Sequence, residues 1–153
     1  MSSKVLEQPK TTPYDEDFYL WLMEQAEHLR QGHFNALDLE NLAEEVESIG
    51  RSDKREVQSR LIVLLAHLLK YQFQPGRRSH SWRATIGEQR RQLDLVFKDS
   101  PSLLKHAPDI FDESYRYARR KASDETRLSL ETFPDTCPYS LEQILNEDFF
   151  PEG

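Results

Sequence analysis

Two residues in the middle of the chain, Arg60 and His67, have types and a seven-residue spacing suited to acid–base work on a phosphate. An imidazole there could pass a proton while the guanidinium steadies developing negative charge, and the spacing puts both on one line of a helix. Gln74 continues the line, which makes it either a solvent edge or a polar seam against another element. A second group follows the break at Pro75-Gly76, where Arg77, Arg78, Ser79, Ser81, Trp82 and Arg83 crowd the start of the next helix. Guanidinium groups beside the free N–H groups of a helix N-terminus suit a phosphate or a carboxylate. The same cations could instead pair with Glu40, Glu44, Glu45 and Glu47, welding the basic turn to an acidic helix. Gln89 and Arg90 fall on or beside an apolar face, so they need buried partners, either as an internal clamp or as part of a site.

Other chemistries find less material. Glu24 and His28 could share a metal with Glu44 or Glu47, but the chain has neither a Glu-x-x-His motif nor a His-Glu-x-x-His motif, so no metal or cofactor is expected. The single cysteine, Cys137, lies between Thr136 and Pro138 with no histidine near it in sequence, which argues against a nucleophile, and no Gly-rich phosphate loop is present.

The element that must position these groups is the helix from Val57 to Phe73. Its apolar residues form two adjoining stripes, Leu61, Leu64, Leu65, Leu68 and Ile62, Leu65, Ala66, Leu69, so it belongs in the middle of a bundle. Around it the pattern predicts a helix from Thr12-Pro13 to Gly32 with a core stripe of Phe18, Leu22, Ala26 and Leu29, extended by Trp21 and Tyr14. A second helix opens at Asp38 with Leu39, Leu42, Ala43, Val46 and Ile49 inward, and breaks or kinks at Gly50 and Ser52. A helix capped by Ser79 or Ser81 runs to about Asp99, carrying Trp82, Ile86, Gln89, Leu93 and Val96. Ser100-Pro101 begins a short helical turn and Ala107-Pro108 the next helix, with Phe111, Tyr115, Ala118 and Ala122 inward and Arg116, Arg119, Arg120 and Lys121 outward. Ser140 to Gln143 reads as a capping box for a last short helix, after which Phe149-Phe150 tucks back.

At 153 residues, with 37% hydrophobic and 31% charged side chains, the chain fits one domain with a core of its own. Without an apolar run of transmembrane length or a cleavable apolar leader, a cytoplasmic location with no membrane partner is the expectation. The net charge of −7 hides a segregation: residues 1–53 carry four Lys/Arg against twelve Asp/Glu, residues 54–91 nine against two, and residues 92–153 seven against thirteen. The basic middle either neutralises its acidic neighbours within the fold or meets an anionic partner.

Several blocks are more specific than composition requires: Tyr14-Asp15-Glu16-Asp17-Phe18-Tyr19-Leu20-Trp21, the stretch from Asn41 to Ser52, His67 to Gln72, Arg78-Ser79-His80-Ser81-Trp82, Ser100-Pro101-Ser102-Leu103 and Cys137-Pro138-Tyr139. Together they resemble the bacterial, largely cyanobacterial family catalogued as domain of unknown function 29, over nearly the whole chain from Tyr14 to Glu152. The resemblance implies an all-helical fold and brings no activity with it. The Arg60/His67 pair is separately similar to the Arg…His motif of HEPN ribonucleases, helical bundles that are usually dimeric and active without metal. It departs from that motif where Leu61 replaces the polar residue that usually follows the arginine.

The expectation is therefore an all-α, single-domain bundle of about five main helices around a central apolar helix, over residues 13–150, behind a flexible lead-in of residues 1–12. In function it reads as a non-enzymatic binding or regulatory module whose basic turn meets an anionic ligand or a protein partner. It is compatible with a homo-oligomer, and the alternative is a metal-independent ribonuclease using Arg60 and His67.

Overall fold

The computed structural model describes residues 12–152 and is all-α, with five α-helices and no strand among those residues. The helices are α1 (Phe18–Gln31), α2 (Leu39–Phe73), α3 (His80–Asp99), α4 (Pro101–Thr126) and α5 (Leu141–Leu145). Contacts gather the chain into two compact units, Met1–Arg51 and Ser52–Gly153. The expected lead-in lies, apart from Thr12, outside the described residues.

In the first unit α1 starts later than Thr12-Pro13 suggested. Asp17 is the cap, its side chain accepting from Leu20 N at 3.0 Å, while Thr12 donates its N–H and hydroxyl to Glu24 at 2.6 and 2.8 Å. Gly32 closes the helix in the left-handed region, φ 74°, where a side chain is disfavoured. The inward line is Trp21, Gln25 and His28, not the expected Phe18–Leu29 stripe; Phe18 and Leu29 are about half exposed, at 46% and 51%. Polar bonding explains the rotation. The Trp21 indole N–H donates to an Asp38 carboxylate oxygen at 3.2 Å and Gln25 Oε1 accepts from Asp38 N at 2.8 Å, so turning these residues outward would strand the start of α2.

α2 runs through the expected break. A lone glycine costs a helix about 1 kcal/mol, which good helix formers on either side outweigh, and Arg51 spans Gly50 by reaching Glu47 and Glu44. The stripe expected to be buried in this half of α2 is also turned out: Leu39, Val46 and Ile49 are exposed.

In the second unit the apolar run of α2 is the core, as its pattern dictates: Val57, Leu61, Leu64, Leu65, Leu68 and Leu69 are at most 1% exposed. Ile86, Leu93 and Phe97 of α3, Tyr115, Ala118 and Ala122 of α4, and Ile144 of α5 pack into the same cluster. α4 is one helix instead of a turn followed by a helix, with Pro108 inside it. Proline there deprives the Leu104 carbonyl of its donor, but both residues are exposed, where solvent lowers the cost. Ser140 and Gln143 form the predicted capping box.

Candidate functional site

The Arg60/His67 pair, the basic turn and the Gln89/Arg90 pair all lie in the second unit, and the structure sorts them by what they touch. Arg90 is the internal clamp. It is 5% exposed, and its guanidinium donates to the Ile144 carbonyl at 2.7 Å and the Phe149 carbonyl at 2.8 Å, with longer reaches to Glu147 and Gln143. Burial brings its pKa down to about 10, which leaves it charged at neutral pH. Arg78 and Arg83 also hold the fold. Arg78 donates to the Tyr71 carbonyl at 2.7 Å and lies over the Tyr71 ring at 4.2 Å; Arg83 donates to the Tyr71 hydroxyl at 3.1 Å and lies over Phe150 at 4.3 Å. Ser79 is the α3 cap, accepting from Trp82 N at 3.2 Å, whereas Ser81 is exposed in the first turn. Of the acidic residues expected to weld to this turn, Glu44 and Glu47 take Arg51 within the first unit, and Glu45 takes the Tyr14 hydroxyl.

Arg60 and His67 do share one face of α2; the Arg60 guanidinium is engaged, and His67 is engaged through Nδ1. Arg60 donates to Glu56 at 2.9 Å and to the Gln89 side-chain oxygen at 3.2 Å, which also accounts for Gln89. His67 Nδ1 lies 2.9 Å from the Val63 carbonyl, so that nitrogen carries the proton; burial lowers the imidazole's pKa against the opposing pull of that bond. Burial pushes the Cys137 thiol up to about 11, which disfavours the thiolate. Among the described residues no group of three or more His, Cys, Asp or Glu comes together as metal ligands. The Glu24 carboxylate is instead taken by Thr12.

Arg77 and Trp82 open onto something the sequence did not show. Together with Lys70, Gln74, Glu125, Thr126 and Arg127 they line a cleft of about 410 Å³ between the end of α2, the turn and the end of α4. Lys70 lies in its wall, 7% exposed, with its Nζ 2.6 Å from Glu125 and 5.2 Å from the centre of the Trp82 ring. Burial alone would raise the Glu125 pKa, yet the bonds and charges of Lys70 and Lys121 outweigh it and hold the carboxyl below its ordinary range. Glu125 is therefore held as a carboxylate between Lys70 and Lys121. Arg77 and Arg127 are both exposed, and among the described residues no hydrogen bond or ion pair engages either guanidinium. Arg127 is also the one non-glycine with positive φ among the described residues, φ 63°, held there as the α4 C-cap by its N–H bond to Ser123 O at 2.8 Å. A left-handed non-glycine of this kind is often tied to function. Lys70 was the legible part of this cleft, a lone cation in the most apolar run of the chain.

Fold and site together define an all-helical module with a cationic cleft beside its central helix. The chain belongs to the family described as Domain of unknown function DUF29, whose model matches residues 13–150 and so runs through both units. No curated protein and no solved structure matches it. No helix among the described residues is long and apolar enough to cross a membrane.

Proposed function

We propose that the chain is a binding module whose cleft takes a small dianionic ligand of the phosphate type between Arg77 and Arg127. The observation that carries this reading is the pair of unengaged guanidiniums facing one cleft whose remaining charges, Lys70 and Glu125, already neutralise each other. Gln74 adds a neutral donor, and the Trp82 ring gives the wall an apolar side. Two excess positive charges match a dianion, and an arginine fork binds phosphate oxygens in a fixed geometry. Arg78 and Arg83 support the site by fixing the turn, without reaching the ligand.

Titration calorimetry with inorganic phosphate and pyrophosphate tests this. Heat of binding is expected for the wild type, with affinity falling about tenfold or more in Arg77→Ala and in Arg127→Ala, while Arg116→Ala on the outer face of α4 binds as before. No binding to the wild type, or equal loss in all three, overturns it.

The alternative, metal-independent RNA cleavage by Arg60 and His67, has less support, because the Arg60 guanidinium that would steady the phosphate is held by Glu56 and Gln89. Incubation with total RNA in EDTA is expected to give no cleavage; cleavage lost in His67→Ala with an unchanged circular dichroism spectrum would establish the nuclease instead.

A further inference from the structure

We propose that the ligand of the cleft is a nucleoside monophosphate, its phosphate held between Arg77 and Arg127 and its base against the Trp82 ring. The inference rests on the reading of this cleft as a phosphate site and names what the phosphate is attached to. Size argues first. The cleft measures about 410 Å³, whereas an orthophosphate has the bulk of about three waters at roughly 30 Å³ each. Most of the space would then stay with solvent. The volume falls instead among sites for small organic ligands, about 300–1,000 Å³.

The groups that the phosphate leaves unused choose the rest of the ligand. Gln74 and Trp82 are both partly buried in the lining. Among the described residues nothing bonds the Gln74 amide or the Trp82 indole N–H, and neither is sealed from solvent. A fully ionised phosphate only accepts, so it has nothing to give the Gln74 oxygen; a base edge, with donors and acceptors side by side, matches both halves of the amide. Trp82 supplies a flat apolar surface, and every base has a face to lay on it. The ring is already fixed. Lys70 Nζ stands over one face of it at 5.2 Å and is itself held by Glu125 at 2.6 Å, so little freedom is lost when a ligand meets the exposed side. Charge limits the phosphates to one. The lining sets Lys70, Arg77 and Arg127 against Glu125, two positive charges in excess. A phosphate monoester, with a second pKa of about 6, is close to doubly ionised at neutral pH and matches them. A triphosphate would bring charges that no lining cation meets.

Titration of the full chain with inorganic phosphate, ribose 5-phosphate, AMP and ATP, read by calorimetry and by tryptophan fluorescence, tests the proposal. AMP is expected to bind about tenfold or more tighter than ribose 5-phosphate, and ATP no tighter than AMP. AMP should also quench the fluorescence where ribose 5-phosphate does not; of the two tryptophans Trp21 is 1% exposed, so the quench reports Trp82. Trp82→Leu should bring AMP down to the affinity of ribose 5-phosphate, whereas Trp82→Phe, which keeps a ring, retains most of the preference. Gln74→Ala should weaken AMP about threefold or more without touching ribose 5-phosphate. The Gln74 side chain holds nothing else among the described residues, so this variant serves even where Trp82→Leu fails to fold. Equal affinity for AMP and ribose 5-phosphate, tighter binding of ATP than of AMP, or an AMP preference unchanged in folded Trp82→Leu or in Gln74→Ala overturns the proposal and leaves the phosphate reading standing. Absence of binding by inorganic phosphate, ribose 5-phosphate and AMP alike overturns both.

Discussion

Replacing Arg90 with methionine is expected to lower the free energy of unfolding by about 3–5 kcal/mol. The reason lies in how many groups one side chain serves. Its guanidinium spreads over the carbonyls of Ile144 and Phe149 at close range, and Gln143 and Glu147 at longer range, while its face lies 5.4 Å from the Phe150 ring centre. These are the main-chain acceptors of α5 and of the segment after it, which has no helix ladder of its own to satisfy them. Methionine matches the stem and removes every donor, so buried carbonyls lose charge-assisted bonds and receive nothing in return. Arg90→Lys should recover less than half of the loss, because one ammonium on a flexible stem cannot reach acceptors spread as a fork. Urea denaturation measures the free energies, and amide exchange locates the effect: protection should fall first between Leu141 and Pro151, with the α2 core still closed. An Arg90→Met protein as stable as the wild type would mean that water satisfies those carbonyls.

Arg90 also shows what the sequence could and could not disclose. A charged residue beside an apolar stripe requires partners, and that much was legible; that the partners are carbonyls more than fifty residues further on is a tertiary fact. Local capping chemistry read well for the same reason that it is local: Ser79 and the Ser140–Gln143 box depend on neighbours three residues away. Chain breakers read well where they end a helix, at Gly32 and at Pro75-Gly76, and poorly inside one. Gly50 and Pro108 each weaken a helix by an amount that flanking residues and solvent can offset, so α2 and α4 continue through them. Periodicity finds an apolar face but not which way it points. On α1 the hydrogen bonds of Trp21 and Gln25 to Asp38 decide the orientation and leave Phe18 and Leu29 outside. As for the cleft, Lys70, Arg77 and Trp82 are close in sequence, while Thr126 and Arg127 arrive from the end of α4, and a positive φ at arginine has no periodic signature.

Two truncations on the same helix should give opposite results. Leu65→Ala is expected to cost about 3–4 kcal/mol, and Val46→Ala to stay within about 0.5 kcal/mol of the wild type. Both shorten an aliphatic side chain in α2, and alanine is the better helix former at either position, so helix propensity cannot explain a loss. Leu65 is 0% exposed and belongs to the cluster formed with α3, α4 and α5, where close packing leaves a cavity that neighbours refill only in part. Val46 is 67% exposed, so in a single copy it has almost no buried surface to give up. Urea denaturation of each variant beside the wild type measures both effects. Equal losses at both positions would mean that Val46 is buried within one copy, and the whole of α2 would then be core.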